Sequence, residues 1–199
     1  MIDKSVVGYS LYMYKEDTEN YPRYSLPEGY RFEFYKAGDE ELWADIICSV
    51  GFFDTKEIAL ENFKKDFLGQ ALRPEDRMLF VVAPNGEYVA TCSLWDGMYL
   101  GEQRQRFHWL TVRDSHAGRG IARALMTGLL DLYRSLGYQG FIYLITSGRY
   151  YPAVAIYREF GFTEYRGTSS PDGKNNPNFA EQNRISLETL DEKLGTHKK

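Results

Sequence analysis

Two glycines held apart by one arginine, Gly118-Arg119-Gly120, lie between a strand-like run and the longest amphipathic stretch of the chain. Glycine has no Cβ, so a ligand can come close to the main chain there and φ can turn positive without penalty. The first N–H groups of a helix have no partner inside it, and the helix dipole adds partial positive charge at the same place. Such a turn holds an anion well. Arg119 and Arg123 point the same way: a cation in a helix's first turn costs a few tenths of a kcal/mol unless an anion such as phosphate offsets it. The same residues also serve a plain strand-to-helix turn with both arginines in water, and the short motif leaves the two readings open.

The elements that must position this turn follow from patterning. Arg106-Phe107-His108-Trp109-Leu110-Thr111-Val112 is dense in aromatic and β-branched residues and reads as a strand. After the glycines, Ile121, Leu125, Leu129, Leu132 and Leu136 recur at intervals of three and four, one face of a helix capped by Gly137. Upstream, residues 9–35 are rich in tyrosine and broken by Pro22, Pro27 and Gly29, an irregular arm leading into a strand near 30–35. Asp39 starts a helix through Val50, and Thr55 a second with Ile58, Leu60, Phe63, Phe67 and Leu68. Met78–Ala83, Asn85-Gly86 and Tyr88–Trp95 form a hairpin signal. Phe141–Thr146 reads as a strand buried on both faces and parallel to 106–112. A short helix from Pro152 to Phe160 ends at Gly161. Phe162–Arg166 and Arg184–Leu187 read as a closing strand pair around a polar loop, Gly167–Gln182, and the tail Thr196–Lys199 as frayed.

Composition bounds the rest. With 199 residues, 43% hydrophobic and 26% charged, the chain is ordinary globular material and is read as one domain, 1–199. Its net charge of −4, without a basic stripe, argues against a nucleic-acid partner. The start Met1-Ile2-Asp3-Lys4 lacks an apolar signal core and no apolar run reaches the roughly 20 residues of a membrane helix, so a cytoplasmic, membrane-free protein is expected. Cys48 and Cys92 are expected as buried, reduced thiols, and three scattered histidines suggest no metal site.

With these residues in place, the sequence resembles the GCN5-related N-acetyltransferase (GNAT) superfamily, which moves an acetyl group from acetyl-coenzyme A to an amine. One family motif, Gln or Arg, two residues, Gly, one residue, then Gly or Ala, maps onto Ala117-Gly118-Arg119-Gly120-Ile121-Ala122, with Ala117 in place of the polar side chain. A second, Ala, three residues, Tyr, three residues, Gly-Phe, is matched by Ala153, Tyr157, Gly161 and Phe162, with Tyr150 where Asn is common. The resemblance implies an α+β fold: a mixed, mostly antiparallel sheet with a central, splayed parallel strand pair, flanked by helices. It implies that Leu110, Thr111 and Val112 offer main-chain groups to pantetheine and that Ala117, Gly118, Arg119, Gly120, Ile121, Ala122 and Arg123 hold the phosphates.

Acetyl transfer needs a deprotonated amine, a held carbonyl and a proton for the leaving thiolate. Tyr157 suits the last role, its plainer reading being a helical residue packed against the sheet, and His108 is the candidate base, its plainer reading being a satisfied structural histidine. The reading is thus an acetyl-coenzyme A-dependent N-acetyltransferase acting on a small-molecule primary amine, as a monomer or homodimer. A non-catalytic coenzyme A-binding module of the same fold is the alternative. A dinucleotide oxidoreductase fits poorly, because Arg123 stands at the third glycine position.

Overall fold

The computed structural model describes residues 3–69 and 71–195. The tail 196–199, like Met1 and Ile2, lies outside the described residues. The elements, in order, are β1 (Ser10–Lys15), β2 (Arg31–Phe34), α1 (Glu40–Ser49), α2 (Lys56–Phe67), β3 (Met78–Val82), β4 (Tyr88–Tyr99), β5 (Glu102–Val112), α3 (Ile121–Ser135), β6 (Ile142–Ser147), α4 (Tyr151–Glu159), β7 (Thr163–Glu164) and α5 (Phe179–Leu194). This is the mixed fold the resemblance implies, with mostly antiparallel strands and one parallel pair. Among the described residues no helix is long and apolar enough to cross a membrane. By its contacts the chain sorts into two compact units. The inner one comprises Arg23–Trp95 and Phe107–Tyr138; the terminal one comprises residues up to Pro22, Asp96–Arg106 and residues from Gln139 onward.

In the inner unit, β2, β3, β4 and the second half of β5 follow one another in that order. The first two pairings are antiparallel, with Phe32 opposite Val81 and Phe80 opposite Thr91. The Asn85-Gly86 turn closes as expected: Ala83 N–H donates to the Glu87 carbonyl at 2.8 Å and Asn85 Oδ1 accepts the Glu87 N–H at 3.0 Å. Helices α1 and α2 bury Trp43, Ile46, Ile47, Phe63 and Phe67 against Phe80 and Trp95. Each such side chain removed from water contributes about 1.5–3 kcal/mol. Ile58 and Leu68, expected on that face, are exposed, and Ala59 is buried instead. The buried stripe of α2 therefore runs 59, 63, 67, one residue every four, and the two branched side chains flank it. Helix α3 buries Ile121, Leu125, Leu129 and Leu132 as the periodicity predicts, whereas Leu136 sits past the last turn and is exposed.

The terminal unit departs from expectation at its centre. Residues 10–15 are not part of an irregular arm but a strand, β1, that lies between β6 and β7 and pairs antiparallel with both. Leu11, Tyr12 and Met13 are almost fully buried, so both faces of this tyrosine-rich strand are core. The partner of β7 is therefore β1, and Arg184–Leu187 belongs to helix α5. Arg-Ile-Ser-Leu alternates like a strand, but the buried face of α5 is Phe179, Asn183, Ser186 and Leu190, spaced four, three and four. Two of those four are polar, which hides the helical stripe. Asn183 justifies its burial by donating from Nδ2 to the carbonyls of Tyr165 and Gly167, each at 3.1 Å.

Strands β4 and β5 also run further than their apolar runs suggest, meeting at Leu100-Gly101, whose φ values are 50° and 83°. Positive φ at both central residues gives the strand twist a hairpin needs. The polar extension is held by Asp96, which accepts from Gln103 at 2.6 Å and Gln105 at 2.7 Å. Around it Tyr12, Tyr99, Tyr143 and Phe179 form an aromatic core. Burial lifts the Tyr12 and Tyr143 hydroxyls to about 12. The segment after β7 is fixed here too: Pro171 accepts the Leu100 N–H at 2.6 Å, and Ser170 Oγ donates to Asp172 at 2.7 Å. Burial would raise the Asp172 carboxyl, but Lys174 and Ser170 together hold it down at about 2.

Candidate active site

The strand-to-helix turn is built as its sequence suggests. After β5, Asp114–His116 makes one turn of 3-10 helix, and Gly118 and Gly120 follow at φ of 75° and 81°. A Cβ built on either glycine meets nothing within 4 Å, so the concave side of the turn is open. Gly120 is the N-cap of α3 in a left-handed conformation and offers no side chain to the helix. The first bond of the helix runs from Ala124 N–H to the Gly120 carbonyl at 3.0 Å, so the N–H groups of Ile121 and Ala122, at its very start, have no intrahelical acceptor. Its first turn contains no acidic residue. Donors on glycine backbone, with room beside them and the positive end of a 15-residue helix behind, fit a diphosphate.

Ala117, Gly118 and Arg119 are exposed, and Gly120, Ala122 and Arg123 half-buried, so this surface can be reached from solvent; Ile121 turns into the core. The two arginines do not merely hang in water. Arg119 Nη1 donates to the Tyr30 hydroxyl at 3.0 Å, and the Arg123 guanidinium lies 5.8 Å from the centre of the Tyr24 ring. The tyrosine-rich arm thus shapes the turn by contacting its cations. Leu110, Thr111 and Val112 form the end of β5; Thr111 is buried and its neighbours are half-buried.

His108 is two residues before Leu110 on the same strand. Its Nε2 is 3.1 Å from Asp66 Oδ2, and the neighbouring Trp109 donates its indole N–H to that same oxygen at 2.9 Å. Asp66 comes from α2, between buried Phe63 and Phe67, and no spacing in the sequence links it to position 108. Its detection required the fold. Trp109 has φ of 56°, a backbone conformation that a bulky side chain inside a strand rarely adopts. Its ring stands edge-on to Trp43 and to Phe52, each at 5.5 Å, and the Phe67 ring is 5.7 Å from the imidazole. The His108 carbonyl accepts from Ser93 Oγ at 3.0 Å and from Cys92 Sγ at 3.5 Å. Burial pushes the Cys92 thiol far above its usual range, so it stays protonated and is no nucleophile. Cys48, expected to be buried as well, is only partly so.

Candidate residues 108, 110–112 and 117–123 thus share the inner unit, along one strand, turn and helix. Tyr157 belongs to the terminal unit. It is a buried residue of α4 whose ring lies 6.3 Å from that of Phe162 and whose carbonyl accepts the Phe162 N–H at 2.9 Å. Ala153, Tyr157 and Gly161-Phe162 therefore fold as one helix and its stop, with Gly161 at φ of 83°.

A family model described as the acetyltransferase (GNAT) family matches residues 13–162. No curated protein matches the chain significantly. Among solved structures the chain is similar to a GCN5-related N-acetyltransferase from Sphaerobacter thermophilus, with 22% identity and a TM-score of 0.59 over 78% of this chain and 48% of that one. It is similar to a GNAT-family acetyltransferase from Colwellia psychrerythraea, at 14% identity and 0.58 over 79% and 53%. A third, from Staphylococcus aureus Mu50, gives 17% identity and 0.56 over 74% and 92%. The chain spans about half the length of the first two. At these identities the likeness is one of fold.

Proposed function

We propose, from the premise that the chain belongs to the acetyltransferase (GNAT) family and so to the transferases that take an acyl group from acyl-coenzyme A, that it moves the acetyl group of acetyl-coenzyme A onto the primary amine of a small molecule. The observation that carries the proposal is the start of α3, where Gly118 and Gly120 leave an open backbone cradle at a helix end bearing no acid. Residues Ala117–Arg123 would hold the diphosphate, and the main chain of Leu110, Thr111 and Val112 the pantetheine arm. Bound acetyl-coenzyme A supplies an acyl carbon activated as a thioester.

The remaining work falls to side chains. An alkyl ammonium loses its proton in water only near pH ~10, so an amine acceptor must hand that proton to a base before it can act as a nucleophile. His108 is the proposed base. With acetyl-coenzyme A bound, a main-chain N–H of 110–112 would polarise its carbonyl oxygen, and the Tyr157 phenol would be the proton donor for the departing sulfur. The acceptor is a small molecule, and the setting proposed is cytoplasmic, as a monomer or homodimer.

Release of free thiol from acetyl-coenzyme A, followed across a panel of primary amines, tests the reading; at least one amine is expected to raise the rate well above hydrolysis. Thermal melting runs alongside, since cofactor at a hundred times its Kd adds about 2.7 kcal/mol. Stabilisation by coenzyme A with no transfer to any amine would favour the non-catalytic binding module instead. Stabilisation by a nicotinamide dinucleotide alone would sink both.

A further inference from the structure

We infer that Asp66 is the residue that positions His108, and that the left-handed backbone at Trp109 serves to bring the two together. The inference rests on the acetyl-transfer reading in one respect, that His108 is the proton acceptor. In a regular strand, successive side chains leave opposite faces, so a carboxylate in contact with position 108 would be out of reach of position 109. Here both reach one atom: Asp66 Oδ2 is 3.1 Å from His108 Nε2 and 2.9 Å from Trp109 Nε1. The φ of 56° at Trp109 is what breaks the alternation. A tryptophan held in that region is strained, and such strain persists where the surroundings over-determine it. The surroundings do so here, with Trp43, Phe52 and Phe53 all packed on the indole.

The consequence is a choice of atom. The indole N–H can only donate, and an ionised carboxylate can only accept, so Asp66 draws the imidazole proton onto Nε2 as well. Nδ1 then carries the lone pair and is the nitrogen that takes the proton of the acceptor amine. The rest of the residue is fixed separately: Ser93 holds the His108 carbonyl, and Phe63 and Phe67 anchor the turn of α2 that carries Asp66. Asp66 touches no reacting atom and acts through the imidazole.

The test is a nitrogen-15 spectrum of the imidazole in the full chain at a pH where His108 is neutral. The parent protein is expected to show Nε2 protonated and Nδ1 bare. Asp66→Asn, which keeps the shape and removes the charge, is expected to give mixed tautomers and a shifted Trp109 indole N–H. With an acceptor amine in hand, Asp66→Asn should lower kcat by roughly tenfold or more while the amine KM stays within about twofold. A proton on Nδ1 in the parent, or an Nε2–H tautomer unchanged in Asp66→Asn, overturns the inference without any assay of activity. So does a variant whose amine KM rises at constant kcat, because the carboxylate would then be binding the ammonium directly. A parent protein that releases no thiol with any amine, yet shows the expected tautomers, would defeat the acetyl-transfer reading and leave the positioning intact.

Discussion

Helix α2 begins at Thr55, whose Oγ1 accepts the Ile58 N–H at 3.4 Å, with Glu57 in the first turn and Lys64 and Lys65 in the last. Even the cation at its first position, Lys56, is neutralised by Glu41 at 2.7 Å and Asp45 at 2.9 Å. Helix α3 in the same unit begins at a glycine without a side-chain cap, has no first-turn acid and carries Arg123 there. By the rules that stabilise isolated helices α2 is well made and α3 is badly made. Yet α3 is the longer of the two and buries nine of its fifteen residues. Tertiary packing can sustain a start that no N-cap side chain supports.

Four substitutions break or sharpen that contrast. Gly120→Ala should do most harm: a left-handed alanine costs about 1–2 kcal/mol of stability. Its methyl also enters the cradle, and losing one hydrogen bond to a charged group costs about 1.5–3 kcal/mol, so coenzyme A affinity by calorimetry should fall on the order of tenfold to a hundredfold. Thr55→Ala should lower stability by about 0.5–1 kcal/mol in denaturant melts, the low end because the cap bond is long, with coenzyme A affinity unchanged. Ala122→Asp should do the opposite of both, stabilising the ligand-free protein by about 0.3–1 kcal/mol through the dipole while weakening coenzyme A binding. An increase in both would show that phosphate does not bind at this helix end.

The smallest effect is one of pH. The Glu57 carboxyl is held below its ordinary 4.5 first by its own backbone N–H and then by Thr55. A carboxyl depressed in the folded state contributes stability above its unfolded value and loses it as pH falls through the folded one. The Tm gap between parent and Glu57→Gln should therefore be open at pH 6 and narrow as the pH falls below the ordinary 4.5. No change of gap across that range would mean that the N-terminal acid of α2 is mere surface charge.

Local chemistry made much of this legible. The Asn85-Gly86 hairpin, the α3 stripe from Ile121 to Leu132 and the caps at Gly137 and Gly161 all depend on residues a few positions apart, and the sequence contains them whole. It misled where polar residues are buried or apolar ones are not. Asn183 and Ser186 broke the stripe of α5, Gln103 and Gln105 hid the extension of β5, and tyrosines concealed β1 in an apparent arm. At the candidate site, Ala117–Arg123 and His108 were nameable in advance because glycine spacing and a strand histidine are visible in one dimension. Asp66 was not, because its partner lies 42 positions away.

The amino-acid sequence alone determined the open glycine turn and the helix behind it, since φ preference and a 3.6-residue period are properties of short segments. Only the tertiary structure decided that β1 from the chain's beginning runs between β6 and β7, and that one carboxylate on α2 meets two consecutive residues of β5. Both depend on which distant surfaces find each other, and on a backbone strain at Trp109 that a packed aromatic core can impose and an isolated strand cannot.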